Sequence, residues 1–198
     1  MSSNQDLRII RTQKMIKEAL LSLIQTKEFS KITIQNIANQ ALINRATFYL
    51  HFLDKYDLLD KITEEVFHEL SDLIKPTSYI IDNSVDSEKL QNMLILIFES
   101  VNNNISFYKA ILGNYGVIEI KKKLHELIKS KFKSEFSTVN SKGQIDSEFI
   151  AQFTTSALLG MIIWWVESEQ MYSTKYMAKT LTTIILNGPL QAIGFESK

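Results

Sequence analysis

The sequence predicts an all-α protein with a small helical head at its N-terminus and a larger helical body behind it. Three observations carry this reading. Only two prolines and six glycines interrupt 198 residues, so long unbroken helices are expected. Apolar residues recur at helical spacing in nearly every segment. Between residues 33 and 55, two short helical patterns flank a turn too tight to be a linker.

Residues 7–26 form the first expected helix, with Ile9, Ile16, Ala19, Leu20, Leu23 and Ile24 as its apolar stripe. Arg8, Arg11, Lys14 and Lys17 lie off that stripe, which fits either phosphate contact or a solvated face. Residues 29–32 are a short connector whose apolar members plug the small domain. Thr33 caps a second helix, in which Ile34, Ile37 and Ala38 share a face. The turn Leu42-Ile43-Asn44 follows. Asn44 caps a third helix, because its side-chain oxygen accepts an N–H left without a partner in the first turn. Ala46, Phe48, Tyr49 and Phe52 crowd that helix.

Residues 55–74 read as a longer helix, apolar at Leu58, Leu59, Ile62, Val66, Leu70 and Leu73, and Pro76 ends it. Residues 75–86 read as a loop that folds back. Helices are expected at 87–103 and 106–112, then from Gly116 to about residue 136. The last of these carries six lysines, but Glu119, Glu126 and Glu135 interleave with them, so a solvated face is expected rather than a nucleic-acid patch. Residues 138–145 are a polar loop. A helix starting at Asp146 or Ser147 runs to about Gln170, and a final one spans 173–187, stopped by Gly188-Pro189.

Residues 157–166, ALLGMIIWWV, are apolar on every side of their helix. Such a helix needs cover on every side, and one small chain supplies one side only. A second copy is the natural cover. Ile150, Phe153, Ala157, Met161, Trp165, Met177, Leu181 and Ile184 are therefore the expected homodimer interface, a two-fold four-helix arrangement.

Enzymatic chemistry finds no support. There is no cysteine, and the sequence contains no P-loop, GxGxxG or GxSxG pattern. His51, His68 and His125 have no second histidine at helical spacing, so no metal or cofactor is expected. The opening MSSNQDLRII lacks a signal-peptide core, and no apolar run approaches the ~20 residues of a membrane span. A cytoplasmic protein without a membrane partner is expected. Net charge is zero, so contact with a polyanion must be confined to a small basic surface.

The run Thr47-Phe48-Tyr49-Leu50-His51-Phe52, with Lys55 three residues on, resembles the signature of the TetR family of transcriptional regulators. Leu42 stands where that family usually has glycine, and Asn44 where it usually has serine. Residues 107–113 (FYKAILG), 160–165 (GMIIWW) and 176–178 (YMA) resemble the regulatory region of a Firmicutes-type branch of TetR-like regulators. The resemblance implies a helix–turn–helix head at residues 1–60 and a regulatory and dimerisation body at 61–198. It implies a homodimer that binds double-stranded DNA, a repressor released from a palindromic operator by a small apolar effector. The alternative is a co-regulator or activator acting through a protein partner. Asn44, Arg45 and Thr47, at the start of the recognition helix, are expected to face base edges. Thr33, Tyr49, His51 and Lys55 match family positions that hold phosphates. Phe67, Phe98, Phe107, Tyr108 and Trp164 are either an effector pocket or plain core.

Overall fold

The structure, a computed structural model, describes residues 2–81, 84–138 and 145–196. Among these residues the chain forms nine α-helices and one small sheet, so the all-α expectation is met. The chain divides into two compact units. One is Met1–Val66 with Ile105–Lys122; the other is Phe67–Asn104 with Lys123–Lys198. The expected boundary at residue 60 differs from this division, because residues 105–122 fold back onto the first helix.

The first unit holds α1 (Ser2–Ile24), α2 (Ile34–Gln40), α3 (Arg45–Tyr49) and the start of α4 (Lys55–Leu73), together with α6 (Ile105–Leu112). α1 packs against α2 and α6. Ile16, Leu20, Ile24, Ile32, Ile37, Phe48 and Leu58 are fully buried, and they recur at the spacings that bring one face of each helix inward. Phe107 and Tyr108 of α6 are buried too. Ile9, expected in the core stripe, is exposed. Gly116 is required by close approach, since a Cβ there would collide with the Ile111 carbonyl.

Local rules set the turn. Thr33 Oγ1 accepts from Asn36 N–H, and Asn36 Oδ1 accepts from Thr33 N–H, both at 3.1 Å, a reciprocal capping box. At the other end of α2, Leu42 N–H reaches Asn39 O and Ile43 N–H reaches Ala38 O, a Schellman closure. That closure needs a left-handed residue at its pivot, and Leu42 supplies it with φ = 55°. Asn44 Oδ1 then accepts from Ala46 N–H at 3.0 Å and starts α3.

The second unit holds the end of α4, a hairpin of β1 (Ile80–Ile81) and β2 (Ser84–Val85), α5 (Ser87–Asn103), most of α7 (Ile118–Thr138), α8 (Ser147–Glu167) and α9 (Thr174–Ala192). The strands pair antiparallel, Ile80 with Val85 and Ile81 with Ser84, where a loop was expected. α5 packs along α9. Lys129 and Lys133 of α7 both hold the Glu148 carboxylate of α8 at 2.7 Å, and their hydrogen bonds pull its pKa down to about 2.

Gly188-Pro189 does not end the last helix. Gly188 takes φ = 76°, ψ = 159°, and the helix resumes at Pro189, whose fixed φ suits a first turn. By length and composition alone, α8 is the one described helix that could cross a membrane, with a mean hydropathy of 1.6, a test that the core helix of a globular protein also passes. Its inner face, including Ala151, Leu158, Ile162 and Val166, is buried in its own unit. Finally, the two tryptophans differ in burial, Trp165 lying in the core and Trp164 at the surface. Trp165 is 1% exposed, packs edge-on to Phe98 at 5.3 Å and donates its indole N–H to the Tyr172 carbonyl at 2.8 Å. Trp164 points outward at 47% exposure. Adjacent helix positions differ by about 100°, so one of the pair had to leave the core.

Leu42 is 88% exposed, so its side chain contributes no burial, while its left-handed backbone carries a cost of ~1–2 kcal/mol that glycine avoids. Leu42→Gly should therefore stabilise the protein by ~1 kcal/mol in urea denaturation. A destabilised variant would contradict the strain argument.

Candidate nucleic-acid interface

α3 presents Arg45, Ala46 and Tyr49 to solvent and buries Phe48. The Arg45 guanidinium donates to the Tyr49 hydroxyl at 3.1 Å and lies 5.6 Å from the ring centroid, so its neighbour one turn on aims it. Thr47, Leu50 and His51 line a groove of about 630 Å³ shared with Arg8, Ile9, Thr12 and Gln13 of α1, and with Ile43. Thr33 is exposed at the head of α2. Arg8, Arg11 and Arg45 take part in no salt bridge among the described residues, whereas Lys14 pairs with Glu18 and Lys17 with Glu65. Of the four basic residues of the first helix, the two arginines remain available to an anion. Thr12 and Gln13 were not singled out from sequence; their one signal is that they lie beside Arg8 and Arg11, off the apolar stripe.

Lys55 takes a different role from the phosphate contact that the resemblance implies. Its ammonium donates to three carbonyls, those of Phe29 at 2.8 Å, Ser30 at 3.1 Å and Ile32 at 2.8 Å. It lies over the Phe29 and Tyr56 rings. An ammonium has three N–H donors, so all are engaged. Burial lowers its pKa, and neighbouring Asp54 partly offsets that. Asp54 caps α4 through the N–H groups of Tyr56 and Asp57, and Asp57 accepts from Leu53 N–H, which holds its carboxyl below the usual range.

The other expected sites divide. Phe98, Phe107 and Tyr108 are fully buried, Phe67 is half-buried and Trp164 is exposed. Phe107 and Tyr108 belong to the first unit, the other three to the second. None of the five lines the apolar cavity of the second unit, which is walled instead by the hairpin, α5, α7, α8 and α9. Of the expected interface residues, Phe153 and Ala157 are exposed, while Ile150, Met161 and Ile184 are half-buried. Trp165, Met177 and Leu181 are buried within the chain and cannot face a second copy; the inward phase of their helices puts them in the core. His68 lies beside Asp72 at 3.3 Å on the surface, and His125 beside Gln152.

A capped helix–turn–helix with an exposed, arginine-bearing second helix defines a DNA-binding transcriptional regulator. Residues 16–62 match the family model for bacterial regulatory proteins of the tetR family. Residues 88–187 match that for a transcriptional regulator C-terminal region. The chain belongs to the TetR family. It is 29% identical over 174 residues to the HTH-type dhaKLM operon transcriptional activator DhaS of Lactococcus lactis, covering 83% of this chain and 86% of that one. A solved structure of the dihydroxyacetone kinase operon activator DhaS aligns with a TM-score of 0.52 at 23% identity, over 94% of this chain and 98% of that one. The HTH-type regulator YxbF of Bacillus subtilis is 19% identical over 88% of this chain, which spans only 44% of YxbF. FadR of Bacillus subtilis, solved in complex with stearoyl-CoA, shares the fold with a TM-score of 0.60 at 17% identity, over 88% of this chain and 98% of that one.

Lys55→Met keeps the aliphatic stem over Phe29 and removes the three donors. It should cost ~2 kcal/mol of stability in urea denaturation, because hydrogen bonds to a charged group are the stronger kind. Unchanged stability with uniformly weaker DNA binding and a flatter salt dependence would restore the phosphate role.

Proposed function

We propose that this chain is a two-fold dimeric regulator that binds a short palindromic operator in the cytoplasm through α3. One observation carries the reading. Arg45 stands exposed and aimed at the start of α3, with Arg8 in the groove beside it, and neither arginine is neutralised by a carboxylate among the described residues. An arginine at the start of a recognition helix reads guanine by a bidentate contact, while its neighbours hold phosphates. Asn44 and Thr47 share that edge; Thr33, Tyr49 and His51 flank it.

The dimer reading draws support from α8. Opposite its buried face, Phe149, Phe153, Ala157, Gly160 and Trp164 form one exposed stripe. Tyr176, Ile185 and Leu186 add apolar surface on α9. A contiguous apolar surface of this kind marks an interaction site, and a palindromic operator needs two heads.

The sign of regulation has two readings. Repression with release by a small apolar effector is the first. Activation is the second, and the likeness to DhaS, named as an activator, favours it. Transcription from the native promoter with and without the chain separates them. In either case α4 and α7 are single helices that continue from one unit into the other. A ligand that biases residues 67–73 therefore acts on the helix that Lys55 starts. A hundredfold change in operator affinity needs about 2.7 kcal/mol of coupling, within the usual range.

Two variants test the reading. Arg45→Ala should cost ~1–3 kcal/mol on the preferred site and relax sequence choice at one position; an unchanged selected sequence would mean another docking mode. A Cβ at Gly160 meets nothing within 4 Å, so Gly160→Glu suits the lone chain and even gains helix propensity, ~0.5 kcal/mol. It should run as a monomer in sedimentation and lose operator binding. A Gly160→Glu dimer of undiminished affinity would sink the assignment of this face.

A further inference from the structure

Arg45 and Tyr49 stand one turn apart on α3, and the contact between them has a direction. A guanidinium only donates, so in the 3.1 Å contact Arg45 Nη2 gives the proton and the Tyr49 oxygen accepts it. The Tyr49 O–H proton is left over, and it finds no acceptor among the described residues. On the arginine side, a guanidinium has five N–H donors and this contact uses one. Enough remain for the pair that a guanine O6/N7 edge takes. The guanidinium also lies 5.6 Å from the Tyr49 ring centroid, so ring and hydroxyl hold the same group.

The tyrosine is itself held from below. Its ring meets Phe48 edge-on at 5.7 Å, and Phe48 leans on Phe52 at 5.9 Å. Phe48 and Phe52 are buried, whereas Arg45 and Tyr49 are exposed. Position therefore passes outward from the core, from Phe48 to Tyr49 by ring contact and from Tyr49 to Arg45 by hydrogen bond. An arginine held in this way loses little rotamer freedom when it docks. The acceptors that line the groove a recognition helix enters are phosphate oxygens, and a tyrosine hydroxyl is among the groups that meet them.

Resting on the reading of α3 as the recognition helix, we propose that Tyr49 is a positioning residue for base readout: its hydroxyl accepts from Arg45 and donates to a DNA phosphate, so that one backbone contact sets the reach of the guanine-reading side chain. A hydroxyl that donates to an anionic oxygen becomes a stronger acceptor, so the seated phosphate tightens the hold on Arg45. Phosphate seating and base choice are then one coupled event. The specificity of Arg45 belongs to the pair.

The test is a mutant cycle in the full-length protein, read by fluorescence anisotropy. The probes are the duplex that the wild-type protein selects from random DNA and the same duplex with each base pair replaced in turn. The position that Arg45→Ala makes indifferent is the one Arg45 reads. Wild type should discriminate there by about five- to 150-fold, the range of one bidentate contact. Tyr49→Phe keeps the ring over the guanidinium and removes the hydroxyl. It should cut discrimination at least threefold at that position and leave the other positions as they were. Misfolding cannot imitate this, since it weakens every duplex alike. With Arg45→Ala already present, Tyr49→Phe should lower affinity for all duplexes by one common factor and change discrimination nowhere. Tyr49→Phe alone weakening every duplex equally, or the same loss of discrimination with and without Arg45, overturns the proposal. Arg45→Ala that leaves discrimination intact at every position overturns the docking of α3 itself, a separate result, and the proposal with it.

Discussion

The head depends on one ammonium group. The short 3₁₀ turn at Phe29–Lys31, between α1 and α2, closes with the Ile32 N–H donating to the Phe29 carbonyl at 3.1 Å. Lys55, the first residue of α4, donates to the carbonyls of Phe29, Ser30 and Ile32 and anchors α4 to that turn. The Phe29 and Tyr56 rings, themselves packed edge-on at 5.3 Å, flank the charge. Charge-assisted hydrogen bonds of this kind fix position more firmly than apolar contact, which permits sliding. Reading base edges demands side chains held to fractions of an ångström, and a rigid support is what allows it. The same lysine thus explains why a signature built on aromatic rings ends in a cation.

Much of the head was legible because its rules are local. Caps act within three residues, so Thr33 and Asn44 could be placed from sequence. Leu42 at the position of a left-handed pivot could be recognised as an exception. What lay beyond reach was the phase and the long-range packing. Lys55 reads as a free cation until the carbonyls of residues 29 to 32 are brought near it. Trp164 and Trp165 are equivalent by composition, and a helix apolar on every side has no moment to orient it. The return of α6 onto α1 depends on contacts between segments far apart in sequence, which no periodicity reports. The Gly188-Pro189 pair reads as a stop by propensity, yet the helix resumes after its kink.

The body follows from a different constraint. α8 buries one apolar face within its unit and leaves another uncovered. Glu148, held by two lysines, fixes its first turn. Its folded pKa of about 2 lies below the ordinary carboxylate value, so the tie is complete above that ordinary value and is lost as pH falls towards 2.

The central claim, that α3 reads DNA as one half of a two-fold assembly, meets its most direct test in a selection of binding sites from random duplex DNA with the purified full-length protein. The expected result is an inverted repeat whose half-site centres lie about one helical turn apart, roughly 34 Å, or a multiple of it. An enriched site without two-fold symmetry, or no enrichment at all, would contradict it.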